Sequence, residues 1–83
     1  IDAGKVLSLC FKEKDVQKAV ALLSTTRARD SIHAVFTKAV DAGISDPNKK
    51  LLVVAAAIQA RRDLINGVPD DYVIWDFCRK ISQ

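Results

Sequence analysis

The chain has 83 residues, of which 49% are hydrophobic and 28% are charged, and its net charge is +3. This length suits one domain with a modest core, and the hydrophobic fraction excludes an intrinsically disordered tail. The charge is a mild bias towards acidic partners and lies far below that of a polybasic chain. Because the chain begins at Ile1 and contains no methionine, we expect residues 1–83 to be a single domain taken from a longer protein.

Four segments place apolar residues at i, i+3, i+4 and i+7, which is the spacing of one face of an α-helix. Asp2 and Asp15 precede the first two segments and are suitable N-caps. The four apolar stripes are Ala3, Val6, Leu7 and Cys10; Val16, Ala19, Val20 and Leu23; Ile32, Val35, Phe36 and Ala39; and Ile74, Phe77, Cys78 and Ile81. Each stripe needs a partner that buries it.

Residues 51–58 (LLVVAAAI) are apolar on every side of a helix, which predicts a central, buried helix over about 47–65. Asp46 and Pro47 are start signals, and Asn66 and Gly67 are stop signals. The sequence therefore predicts an all-α domain, a compact bundle of about five short helices around this central apolar helix.

Turn signals separate the predicted helices. Thr25 and Thr26 interrupt the second helix, and Gly43 followed by Ile44 predicts a left-handed helix end with an apolar contact. The longest uncharged apolar run has eight residues, whereas a membrane span needs about 20. With no signal peptide in view, we expect a soluble cytoplasmic protein without a membrane partner.

The sequence contains no recognisable catalytic or metal-binding pattern. His33 lies three residues after Asp30, but the nearby Ser31 has no oxyanion motif, so we predict that the protein is not an enzyme and has no small-molecule substrate. Cys10 and Cys78 fall on apolar stripes and are predicted to be reduced core thiols, although a disulfide between them is an alternative. One histidine and two distant cysteines are too few for zinc, and no cofactor is predicted.

Tyr72, Trp75 and Arg79 lie outside the apolar stripe of the last helix, and these residue types often carry binding energy at interfaces. The alternative for Trp75 is that its ring packs over a neighbouring helix. Basic pairs near helix ends would meet an acidic protein or phosphate if they converged, or are simply solvated. We assign partner binding to Tyr72, Trp75, Arg79, Lys80, Arg61, Arg62, Lys49 and Lys50.

Arg62 shares a helical face with Leu51, Ala55 and Ile58, which predicts a position at the edge of the core. The residues from Ala39 to Ser45 have the spacing of a helix-turn-helix, in which the helix from Pro47 would read nucleic acid. A recognition helix needs a polar face, and residues 51–58 offer none. Direct nucleic-acid binding is therefore the alternative, and recognition of an acidic protein surface is the leading hypothesis.

The last segment, VIWDFCRKISQ, combines aromatic residues with arginine at the end of an all-helical, mildly basic chain. In this general character the whole chain resembles the C-terminal nucleocapsid-binding domain of a rhabdovirus phosphoprotein, such as that of a plant virus. The resemblance implies a non-enzymatic adaptor in the host cytoplasm that binds the nucleoprotein–RNA complex and helps to dock the viral polymerase. It also implies that acidic nucleoprotein loops contact the basic residues together with Tyr72 and Trp75.

Overall fold

A computed structural model describes the backbone of residues 1–83 and the side chains of residues 1–41 and 44–83. Within that part of the chain the α-helices are α1 (Ala3–Ser8), α2 (Val16–Leu23), α3 (Ala28–Lys38), α4 (Pro47–Ile65) and α5 (Asp70–Ile81). The π-helical turns Leu9–Glu13 and Ala39–Gly43 extend α1 and α3, and the described residues form no strand. The predicted all-α bundle is confirmed.

Aspartate side chains start three of the helices. The carboxylates of Asp2, Asp15 and Asp46 accept hydrogen bonds from first-turn N–H groups of α1, α2 and α4, at 3.0, 3.1 and 2.9 Å respectively. Each bond satisfies a donor that has no partner within the helix. Pro47 occupies the first turn of α4, where its missing N–H costs nothing. The predicted start signals are confirmed.

Gly67 ends α4 with a left-handed backbone at φ 84°. The N–H of Val68 donates to the carbonyl of Asp63 at 2.9 Å, and the N–H of Gly67 donates to that of Leu64 at 3.2 Å. These two bonds form a Schellman motif, which only a residue tolerant of positive φ completes without strain. The predicted stop at Gly67 is therefore confirmed. At Gly43 the π-helical turn ends and Ile44 is extended at φ −120°, while the left-handed conformation predicted for Gly43 itself lies outside the described features.

The helix α5 packs through one side against α2, α3, α4 and the first π turn. Its stripe is buried along its whole length and includes Phe77, the largest fully enclosed side chain. The buried residues of α5 are Val73, Ile74, Phe77, Cys78 and Ile81. The four residues predicted to form this stripe are thus all in the core.

The prediction that α4 is buried on every side is wrong. Its inner face buries Val53, Ala56 and Ala60 against α3 and α5, but Leu51 and Ile58 on the opposite face are 65% and 50% exposed. The helix α4 meets α3 and α5 through one side only, so its opposite side faces solvent. A chain of this size cannot enclose all of its apolar surface.

The connection between α2 and α3 depends on a buried hydroxyl. Thr25 and Thr26 follow α2, as predicted, and the Thr25 hydroxyl donates to the Leu22 carbonyl. Ser31, in the first turns of α3, is 1% exposed, and its Oγ donates to the carbonyl of Leu23 at 2.7 Å. The same hydroxyl hydrogen-bonds Thr26 Oγ1. Ser31 therefore ties the start of α3 to the end of α2.

Replacing Ser31 with alanine is expected to lower the free energy of unfolding by about 1–3 kcal/mol, because the Leu23 carbonyl would lose its buried donor. Ser24→Ala is the matched control, since Ser24 Oγ donates to the Val20 carbonyl in an exposed position where water can replace it. Urea denaturation measures both variants. If both variants lost the same free energy of unfolding, the buried Ser31 hydrogen bond would be no more important than the exposed Ser24 one, which would contradict this prediction.

Candidate functional site

The outer side of α5 carries two large aromatic side chains. Tyr72 is 68% exposed and Trp75 is 44% exposed. At 100° per residue they lie, with Arg79, on the side of the helix opposite its buried stripe. We call Tyr72, Trp75 and Arg79 the aromatic face. Because the stripe on the other side makes the packing contacts of α5, the aromatic face is available to a partner.

Asp76 binds two of the cations that were assigned to the partner site. Its Oδ1 lies 2.8 Å from Arg79 Nη2, and its Oδ2 lies 2.7 Å from Lys80 Nζ. The hydrogen bond from Lys80 is the main cause that lowers the pKa of Asp76, and Arg79 adds to it. Any acidic partner must therefore compete with Asp76. The i+3 and i+4 spacing in the sequence already indicated this pairing, which we had not predicted.

The basic residues of α4 do not converge on one surface. Lys49 Nζ lies 5.4 Å from the centre of the Phe11 ring, a cation–π contact with the first π turn. Lys50 belongs to the same end of the helix, whereas Arg61 and Arg62 lie about 18 Å further along it at 1.5 Å per residue. The eight predicted residues thus divide among α5 and the two ends of α4.

An exposed apolar stripe runs along α4 on the side away from the core. It consists of Leu51, Ala55, Ile58 and Ile65, and Ile65 is 75% exposed. Arg62 lies on the same side, as predicted, but that side faces solvent and not the edge of the core. We call these four apolar residues the outer stripe of α4. Arg62 separates Ile58 from Ile65, so the contiguous part of the stripe is Leu51, Ala55 and Ile58. Contiguous exposed apolar residues are typical of interaction sites.

A groove of about 430 Å³ lies between α3 and α4. Its apolar lining is Ile32, Phe36, Ala57, Ile58 and Leu64, and its polar lining is Arg29, Asp30, His33 and Arg61. Sequence reasoning missed this groove because the spacing of Ile32 and Phe36 assigned both to the core. In the fold Ile32 is nearly enclosed, while Phe36 remains half-buried at the groove.

The side chains considered for catalysis have other partners in the fold. His33 is exposed, and its Nε2 lies 3.5 Å from Thr37 Oγ1, while the Ser31 hydroxyl is fixed on a carbonyl. In the described ranges, no three His, Cys, Asp or Glu side chains are placed to hold a metal ion. No described helix has the length and apolar character required to span a membrane.

Cys10 and Cys78 are free thiols enclosed in the core. The contact with Cys78 lowers the pKa of Cys10, against the effect of burial. The same contact raises the pKa of Cys78, and burial adds to this increase. Since both sulfur atoms are shielded from solvent, the pair packs as small apolar side chains and has no access to a substrate.

No protein-family model, curated protein or solved structure matches this chain. Its function must therefore be inferred from the aromatic face, the outer stripe and the groove.

The Asp76 ion pairs predict a pH-dependent stability difference. Because the pKa of Asp76 is lower in the folded than in the unfolded state, its contribution is complete above the ordinary value of 3.8 and is lost as the pH falls below it. These side chains are partly exposed, so we expect Asp76→Asn to cost at most about 1 kcal/mol near neutral pH. Denaturation of the wild type and of Asp76→Asn at a series of pH values should show the difference in unfolding free energy shrinking in acid. If the difference in unfolding free energy between the wild type and Asp76→Asn stayed constant in acid, the Asp76 ion pairs would not be its source.

Proposed function

We propose that this chain is a non-catalytic helical interaction module that recognises an acidic protein surface through the aromatic face of α5. The observation that carries the proposal is the exposure of Tyr72 and Trp75 on the side of α5 that the fold does not use. Tyrosine, tryptophan and arginine are the residues most enriched among those that dominate interface energies. Their grouping on one helical face supports a protein partner.

The charge distribution supports an acidic partner. The net charge is +3, and Arg79 and Lys80 flank the aromatic residues. Both cations share the single carboxylate of Asp76, which leaves one positive charge in excess at the C-terminal end of α5, while the exposed Asp70 and Asp71 lie in its first turn. Complementary charge at an interface mainly sets specificity and the rate of encounter. The aromatic rings would supply most of the affinity.

More specifically, we propose that the acidic partner is a nucleoprotein–RNA complex, as the resemblance to a rhabdovirus phosphoprotein domain implies. In that role the module would be an adaptor that docks the viral polymerase on its template. A small, mildly basic, all-α domain with an exposed aromatic helix fits this role. Acidic loops of the nucleoprotein are the partner elements expected to contact Tyr72, Trp75 and Arg79.

A protein partner is preferred to nucleic acid because of the outer stripe of α4. A recognition helix directs polar side chains at base edges. Here the exposed side of α4 carries Leu51, Ile58 and Ile65, which cannot hydrogen-bond to bases, and Arg62 is the one polar side chain among them. This composition disfavours the helix-turn-helix alternative.

The test is an NMR titration of the ¹⁵N-labelled domain with a plant rhabdovirus nucleoprotein–RNA complex, with single-stranded RNA and with duplex DNA. We expect perturbations around Tyr72, Trp75 and Arg79 only with the protein complex. Tyr72→Ala should weaken binding about tenfold while leaving the melting temperature unchanged, because the ring is exposed. Perturbations confined to the first turns of α4, with nucleic acid and a steep salt dependence, would instead support the helix-turn-helix alternative.

A charge variant sharpens the same test. Asp76→Asn frees Arg79 and Lys80 and is expected to tighten binding to the nucleoprotein–RNA complex. The matched control is Glu13→Gln, which changes the net charge equally at an exposed site that forms no ion pair among the described residues. Equal effects would attribute the gain to overall charge and would contradict a specific role for the α5 cations.

A further inference from the structure

We propose that the groove between α3 and α4 binds the apolar side of an acidic amphipathic helix contributed by a partner protein. The groove shares no lining residue with the aromatic face of α5, so this is a second interaction surface. It stands on different observations from the proposed function and does not depend on it.

The length of the groove matches a helical ligand. Its lining residues span 29–36 on α3 and 57–64 on α4. Each span covers about two helical turns, or about 10 Å. A helix that binds in a groove inserts side chains at i, i+3 or i+4, and i+7, which cover the same distance. The groove therefore accommodates one set of anchor residues from a third helix packed along α3 and α4.

The apolar surface of the groove is incompletely covered by the fold. Phe36, Ala57 and Leu64 are half-buried, and Ile58 is exposed at the edge of the groove. Ile58 also belongs to the outer stripe of α4, so the apolar surface continues from the groove onto the outside of the helix. Aliphatic and aromatic anchors of a ligand would remove this surface from water.

The charges around the groove select an acidic ligand. Arg29 is on α3 and Arg61 is on α4; both are exposed, and neither forms an ion pair within the described residues. Asp30 is the single acidic residue of the lining, which leaves the groove net positive. Carboxylates beside the anchor residues would meet a guanidinium on either side. Arginine binds carboxylates with two parallel hydrogen bonds, and this geometry favours glutamate or aspartate.

The probe is a synthetic 16-residue amphipathic helix with leucine anchors and glutamate at the flanking positions. A second peptide carries lysine in place of every glutamate. Titration of each into the ¹⁵N-labelled domain is expected to perturb residues 32–36 and 57–64 with the acidic peptide, and to give at least about tenfold weaker binding with the basic one.

Two pairs of variants on α4 provide matched controls. Arg61→Ala is expected to weaken acidic-peptide binding about tenfold, whereas the neighbouring Arg62→Ala, outside the groove, changes it little. Ile58→Glu is expected to abolish binding, whereas Ile65→Glu on the same helix preserves it. All four residues are exposed, so the variants should keep the wild-type melting temperature.

Several outcomes would overturn the proposal. Equal affinity for both peptides would remove the role of Arg29 and Arg61, and perturbations around Tyr72 and Trp75 would move the site to the aromatic face. Concentration-dependent perturbation of residues 57–64 without peptide would identify a second copy of the chain as the occupant. Loss of acidic-peptide binding in Tyr72→Ala would show that the groove and the aromatic face are not separate surfaces. Absence of binding to the nucleoprotein–RNA complex would contradict the proposed function and would leave the groove proposal intact.

Discussion

The buried stripe of α5 is the constraint on which the packing of most other helices depends. Five of its residues are buried, and Phe77 fills the largest enclosed position. The helix contacts α2, α3, α4 and the first π turn, so each of these elements buries its own stripe partly against α5. The helix α4 packs against α3 and α5 through a single face, and α5 also keeps one face exposed. Both proposed surfaces follow from this arrangement.

The exposed apolar residues reflect the small size of the domain as well as its use. A domain of 83 residues that is 49% hydrophobic carries more apolar surface than its core can enclose. Isolated exposed aliphatic residues would need no explanation. Here Leu51, Ile58 and Ile65 lie on one side of α4 at intervals of about two helical turns, and Ile58 borders the groove. The arrangement of exposed apolar residues along one side of a helix, more than their number, distinguishes an interaction surface from a core that is incompletely covered.

The helix ends were predictable from the sequence, whereas the way in which the helices pack against one another was not. The aspartate caps and Gly67 act within one helical turn, so their residue types sufficed to identify the helix ends. The side of α5 that faces solvent was also predictable because its stripe is one-sided. For α4 the apolar residues lie all around the helix, and periodicity then indicates no direction. The groove escaped prediction for a related reason, since the exposure of Phe36 depends on where α4 packs against α3.

The distribution of paired charges assigns different roles to the two surfaces. Net charge suggested a basic site on α5, yet Arg79 and Lys80 already share Asp76, so a partner there gains less from ion pairing than from covering Tyr72 and Trp75. At the groove ion pairing should contribute more, because Arg29 and Arg61 have no ion-pair partner among the described residues and line the groove together with its apolar side chains. Charge should therefore control the rate of association at the groove, while aromatic burial should control residence time on α5.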